Sequence, residues 1–256
     1  MLKKVDRYTI GYVWPFFQSM PYDSLLDAAV HDYHGTIETD DFSHPHVVLA
    51  TIGTTPGKSY YMSGDLDHAI TQNVLDNLDC HSELHIPESW KPQFERIIQR
   101  RYTLKTRYDF DHSSLQPETL ETFVSNLPST YSMERIDKSI YNALIDMPWS
   151  YYMVGNFLDY NDFHAHGLGF VVKDDRGTIV SGASSFIRYN DGYEIEIATH
   201  NDYRNQGLAT SIAAKFILET LKENKVPHWD AANIQSKNLA LKLGYTLKKT
   251  YTVYEL

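Results

Sequence analysis

Apolar and polar positions alternate most plainly in GLGFVVKDDRGTIVSGASSFIRYNDGYEIEIAT, residues 167–199. The alternation is interrupted at Asp175-Arg176-Gly177 and at Asn190-Asp191-Gly192. It predicts three strands joined by tight turns, with glycine supplying the positive φ that such turns want. After residue 207 the period lengthens. Ala209, Ile212, Ala213, Phe216, Ile217 and Thr220 recur at i, i+3, i+4 spacing, which predicts an amphipathic helix over 207–223. Beyond it come a short strand in PHWDAA (227–232), a helix in QSKNLALKL (235–243) and a last strand in YTLKKTYTVYEL (245–256). Ahead of the meander, TYSMERI (130–136) predicts a strand and KSIYNALI (138–145) a helix.

The first hundred residues mix the two periods. Helices are expected over 22–33, where Asp23 or Ser24 offers a cap, over 65–78, where Leu66, Ile70, Val74 and Leu78 share a face, and over 89–101. Pro92 suits a first helical turn. Strands are expected over 46–53, 59–65 and 102–110. A softer stretch rich in Ser, Pro and acidic residues, 111–132, contains one short helical pattern at 117–127. It marks a boundary between an N-terminal α+β lobe, 1–126, and a second domain, 127–256. Meander, helix, strand, helix, strand is an α+β or mixed α/β order: a mixed central sheet with flanking helices.

Composition narrows the partners. The 256-residue chain carries a net charge of −10 and no long basic run, which disfavours nucleic acid. Cys80 is the one cysteine, so no intrachain disulfide can form, as suits a reducing cytosol. No run reaches the ~18 apolar residues of a membrane helix. The start, MLKKVDRYTIGYVWPFF, has no apolar core of signal-peptide length. A cytoplasmic protein without a membrane partner is expected. His31, His34, His44 and His46 lie with Asp40 and Asp41 in HDYHGTIETDDFSHPH (31–46), but their spacing matches no metal pattern, so polar loop residues and no metal are expected. His164 and His166 precede a strand and are candidates to face an acceptor.

The junction THNDYRNQGLATSIAAKFILETL (199–221) carries the most chemistry. A glycine costs a helix interior roughly 0.5–1 kcal/mol against alanine, so Gly207 needs another reason to be there. A strand ends at Thr199, and a helix starts behind Arg204-Asn205-Gln206-Gly207-Leu208-Ala209-Thr210. The lack of bulk at 207 and 209 lets an anion reach the backbone N–H groups at the positive end of the helix. Arg204 adds a charge. A tight strand-to-helix turn with a packing glycine explains the same string without a ligand.

The stretch resembles the GNAT superfamily of acyl-CoA N-acyltransferases, whose Q/R-x-x-G-x-G/A motif is filled here by Arg204, Gly207 and Ala209. NIQSKNLALKLGY resembles the family's next motif through Asn233, Ser236, Leu239, Lys242, Leu243, Gly244 and Tyr245. The quoted resemblance covers residues 127–256. Together with the length, it points to a bacterial subfamily in which the whole chain belongs to the family, and some of whose relatives acetylate antibiotics. The resemblance implies acetyl-CoA as co-substrate, with its pyrophosphate on 204–210 and its thioester arm beside Ile197, Ala198 and Thr199. It also implies a coenzyme contact from Asn233, with Ser236 in step, and a small-molecule amine as acceptor. Such chemistry needs a base for the amine. Glu194 and Glu196 leave the EIEI strand on one face, so either is a candidate, although EIEI is also ordinary solvent-face patterning. The resemblance breaks at Ala240, where many members carry a tyrosine that protonates the leaving thiolate. That gap keeps open a second reading, an acyl-CoA-binding or regulatory module without turnover.

Overall fold

The computed structural model describes residues 2–20, 23–54 and 57–256. The chain divides into two compact units, 1–106 with 251–256, and 107–250. The first unit holds β1 (Lys3–Val5), α1 (Ile10–Phe17), α2 (Ser24–Val30), β2 (Thr36–Thr39), β3 (Val47–Ile52), β4 (Ser59–Gly64), α3 (Ala69–Asp76), β5 (Glu83–His85) and α4 (Lys91–Ile97). β6 (Thr103–Asp111) leads out of it. The second unit holds α5 (Pro117–Ser125), β7 (Ser132–Arg135), α6 (Lys138–Asp146), α7 (Tyr160–His166), β8 (Gly169–Lys173), β9 (Ile179–Arg188), β10 (Gly192–Thr199), α8 (Leu208–Lys222), β11 (Val226–His228), β12 (Asp230–Ala231) and α9 (Ile234–Leu243). β13 (Thr246–Glu255) carries the chain back to the first unit.

In the first unit β1, β2, β3 and β4 pair antiparallel in order, and β5 pairs parallel with β4. The end of β13 then pairs antiparallel with β5, Tyr254 opposite Leu84. Val47, Leu49, Met62, Leu84, Phe94 and Tyr254 form its core with the apolar side of α3. The predicted helices and strands of this region are present, with Asp23 capping α2 through the Leu26 N–H at 3.0 Å. β1, α1, β2 and β5 carry too few periodic positions to be read from sequence. The loop histidines find local partners. His46 meets Asp40 at 2.7 Å and stacks on His68 at 3.9 Å, while Asp41 accepts from the Ser43 and His44 N–H groups.

The second unit is built on a five-stranded sheet, order β11-β10-β9-β8-β7. Neighbours pair antiparallel except β10 with β11, which run parallel. Period-two alternation gives the sheet two apolar faces. Phe170, Val172, Ala183 and Tyr193 pack with Leu208, Ile212 and Phe216 of α8. On the other face Val171 packs with Ile140 and Leu144 of α6, Phe163 of α7, and Met153 from a single 3₁₀ turn at Tyr151–Met153. A second core lies behind α8, where Ala213, Ile217 and Leu218 meet Leu120 of α5, Phe110, Trp229, and Ala240 and Leu243 of α9. No helix among the described residues is long and apolar enough to cross a membrane. No cluster of three metal-ligating side chains occurs among them.

Candidate active site

Strand β10 is paired along its whole length on one edge and only briefly on the other. β9 accompanies it from Tyr193 opposite Arg188 to Thr199 opposite Ser181. β11 pairs with it only at Gly192, Tyr193 and Glu194, with His228 as the last partner. PHWDAA, expected as one strand, is two. Trp229 is buried (3% exposed), and Asp230 and Ala231 turn away to pair with Asp109 and Tyr108 of β6. The edge of β10 from Ile195 to Thr199 therefore has no strand along it among the described residues. Ile197, Ala198 and Thr199 lie on that stretch and are half-buried. Unpaired strand N–H and C=O groups are a template for an extended ligand.

The open edge runs into the junction loop. A 3₁₀ turn at Asn201–Tyr203 follows Thr199, and Arg204 returns to donate from Nε to the Thr199 carbonyl at 3.3 Å. Asn205 and Gly207 both take left-handed backbone, φ 63° and 82°. The helix expected from 207 starts at Leu208, and Gly207 is its N-cap, so the glycine sits before the helix rather than inside it. It supplies no side-chain cap, and a Cβ built on it would meet nothing within 4 Å. The first N–H groups of α8 thus have no side-chain cap at the positive end of a 15-residue helix. Leu208, 1% exposed, anchors the helix start, and Arg204, Asn205, Gln206 and Gly207 are exposed. Gln206 accepts from the Tyr131 hydroxyl at 2.7 Å, and Thr210 accepts from Lys242 at 3.2 Å. Ala209 is half-buried beside them. An anion held on backbone amides, with an extended chain on the β10 edge, fits what these residues offer.

The two glutamates share a strand face but not an environment. Glu194 is buried, 4% exposed, and both its oxygens are engaged. Oε2 meets His228 Nδ1, and Oε1 accepts the Asp230 N–H at 3.0 Å. His228 Nε2 lies 3.1 Å from Asp109 Oδ1, and Asp230 Oδ1 takes Arg107 Nε at 2.8 Å. Burial works against a charge on His228, but Glu194 and Asp109 outweigh it and hold the imidazole well above its usual value. Asp109 is held low; burial would raise it, but His228 and the lysines Lys248 and Lys249 prevail. Glu196 keeps some solvent exposure. Desolvation pushes its pKa up to about 7, Arg107 opposes the shift, and Glu194 adds to it. Tyr152, on the 3₁₀ turn packed against this face, is raised by burial, with smaller contributions from Tyr151 and from the Glu196 charge. A carboxylate near 7 can hold or give up a proton at neutral pH.

The remaining candidates have structural employment. Asn233 caps α9 through the Ser236 N–H at 2.9 Å, and Ser236 Oγ accepts from Trp229 Nε1 at 3.0 Å. Ala240 is fully buried in the core behind α8. Tyr245 donates to the Pro227 carbonyl at 2.8 Å from the same core. His164 and His166 fall in the last turn of α7, where His166 Nδ1 lies 3.0 Å from Arg188. Arg107, Asp109 and Tyr152 were not foreseen. Each lies far in sequence from the EIEI strand, and no local pattern announces them.

The model of the GNAT acetyltransferase family matches residues 15–254. The uncharacterized N-acetyltransferase YdfB of Bacillus subtilis strain 168 is 27% identical over 262 residues, covering 97% of this chain and 91% of that protein. A GCN5-related N-acetyltransferase-like protein from Streptococcus suis superposes with a TM-score of 0.86 at 31% identity, covering 97% of this chain and 98% of that one. A GCN5-related N-acetyltransferase from Kribbella flavida shares the fold alone, with a TM-score of 0.56 at 13% identity over 90% of this chain and 91% of its own. The motif residues, the mixed sheet with its parted strands and the whole-length match agree: the chain belongs to the GNAT acetyltransferase family and is an N-acetyltransferase.

Proposed function

We propose that the protein transfers the acetyl group of acetyl-CoA to the amine of a small molecule in the cytoplasm, with Glu196 accepting the amine proton. The observation that carries this reading is the free edge of β10 from Ile195 to Thr199 leading straight to the uncapped N-terminus of α8. Ile197, Ala198 and Thr199 would pair with the pantetheine arm, and residues 204–210 would cradle the pyrophosphate. Supplying an activated acetyl group is the coenzyme's part. The chain's own part is to hold amine and thioester in reach and to take a proton.

Between the two glutamates, the geometry favours Glu196. Glu194 has both oxygens committed to His228 and Asp230 and none turned to an acceptor. Glu196 is partly open, and its pKa of about 7 matches the working range. A carboxylate there favours a cationic amine, and antibiotics with amino groups belong to that class.

A thiol-release screen with acetyl-CoA over aminoglycosides, polyamines, amino acids and peptides tests the reading. Release with at least one amine is the expected outcome. Acetyl-CoA binding without release across the panel would instead make the chain a binding module. With an acceptor in hand, Glu196→Gln should lower kcat by roughly 10²–10⁴-fold while acetyl-CoA affinity stays nearly intact. A loss below tenfold would remove Glu196 from the role.

A further inference from the structure

His228 is a half-buried titratable group that the proton-transfer reading leaves unused, and its surroundings are unusual. Both ring nitrogens face carboxylate oxygens: Nδ1 faces Glu194 Oε2, and Nε2 faces Asp109 Oδ1 at 3.1 Å. A neutral imidazole has one N–H and one lone pair. One of those contacts would then set a lone pair against a carboxylate where little water can intervene. With both carboxylates ionised, only the doubly protonated ring satisfies both. His228 is also the last residue of β11 in register with β10, opposite Glu194, where the edge of β10 becomes free.

We propose that His228 is a positioning residue of the acyl-transfer site: clamped as an imidazolium between Glu194 and Asp109, it fixes the Glu194 carboxylate on the strand face shared with Glu196, and so tunes the electrostatic surroundings of Glu196. The inference rests on the reading of Glu196 as the base. Asp109 Oδ2 lies 3.4 Å from Lys248 and 3.8 Å from Lys249, which spreads its charge toward β13. Tyr189 stands edge-on to the imidazole at 6.1 Å, and Tyr245 lies near Glu194 with its hydroxyl bound to Pro227. Glu196 is faced by Glu194 from its own strand, by Arg107 from β6 and by Tyr152 from the 3₁₀ turn, with neutral Ser184 opposite on β9. Arg107 is itself tied to Asp230, whose N–H holds the other oxygen of Glu194. Glu194 is thus the carboxylate beside Glu196 on its own strand, and His228 is what holds it in place.

Titration by NMR on the full-length protein tests this without an acceptor. ¹³C-carboxyl labelling of glutamate follows Glu196, assigned by its loss in Glu196→Gln. In the wild type Glu196 should titrate at about 7, and the ¹⁵N shifts of His228 should report two ring protons at neutral pH. Glu194→Gln, a near-isosteric change, should lower the Glu196 midpoint by about one pH unit. His228→Gln, which removes a nearby positive charge and the clamp on Glu194, should raise the Glu196 midpoint. A neutral His228 in the wild type overturns the proposal, and that measurement survives even if His228→Gln does not fold. A Glu196 midpoint unmoved in folded Glu194→Gln overturns it as well, leaving His228 as a structural bolt. Failure of the underlying reading looks different: Glu196→Gln would keep the acid limb of its thiol-release profile while the titrations behaved as described.

Discussion

Gly207 and Gly244 form a matched pair that separates backbone strain from ligand exclusion. Gly207 is the N-cap of α8 at φ 82°, ψ −6°, and Gly244 the C-cap of α9 at φ 107°, ψ 8°. An added Cβ meets nothing within 4 Å at Gly207, and at Gly244 its nearest neighbour is Leu115 at an ordinary 3.8 Å. Alanine at either site therefore pays the left-handed backbone penalty, about 1 kcal/mol, without a clash. For a chain of this size that lowers the melting temperature by about 2–4 °C in both variants. The difference should appear in coenzyme binding. On the proposed reading the pyrophosphate sits at this helix start, so a side chain at Gly207 should lower acetyl-CoA affinity tenfold or more, about 1.4 kcal/mol. At Gly244 it should not change. Gly207→Asn sharpens the comparison, because asparagine tolerates left-handed backbone and yet carries more bulk. It should melt closer to wild type and bind acetyl-CoA at least as weakly as Gly207→Ala. Calorimetric titration and thermal melts on the four proteins give both axes. Wild-type affinity in Gly207→Ala and Gly207→Asn would place the phosphates elsewhere. Equal affinity losses at Gly207 and Gly244 would mean that strain, not exclusion, was being measured.

Two further outcomes follow from the same geometry. Glu196 has a folded-state pKa of about 7 against 4.5 for the free group, so its contribution to stability falls as pH rises from 4.5 to 7 and is flat beyond. Glu196→Gln should therefore stabilise the protein above pH 7 by about 2 kcal/mol, with little gain below pH 4.5, as urea unfolding at several pH values would reveal; equal stability of the two proteins at pH 8 would refute the desolvation of Glu196. Ala240→Tyr should not restore an acid to the site. Ala240 is fully buried among Ala213, Leu243 and Trp229, so the larger ring should cost about 3 kcal/mol or more by overpacking. A folded, more active Ala240→Tyr enzyme would contradict that placement.

Legibility followed contact range. The meander at 167–199 was readable because hairpin turns and alternation are local, but of its two turn glycines only Gly177 takes the expected positive φ; Gly192 begins β10, where a Cβ would meet the Val226 carbonyl. The junction at 199–210 was readable for the same reason: strand, loop and helix start lie within a dozen residues. The division of PHWDAA into β11 and β12 was not. Its cause is that His228 pairs with β10 while Asp230 pairs with β6, whose pairing residues lie more than a hundred positions earlier. Likewise α7 and β5 are short segments whose burial comes from neighbours rather than from their own periodicity. Arg107 and Asp109 come close to the site only because β6 lies beside β12, a pairing that no pattern within either segment encodes.

Glu194 and Glu196 carry this argument furthest, because the sequence treats them alike. Alternation puts both on one face, and the side-chain type gives both the same chemistry. What separates them is where β11 stops. At Glu194 the neighbouring strand is still present and brings His228 to the carboxylate, while Asp230, two residues further on, adds an N–H. Two positions later β11 has turned away, so at Glu196 desolvation outweighs the opposing charge of Arg107. The same departure that frees the β10 edge thus raises one carboxylate while the last rung fixes the other. Extending the pairing of β11 by two residues would close the edge and bring new partners to Glu196 together, so on the proposed reading the position of the last rung couples coenzyme access to proton transfer.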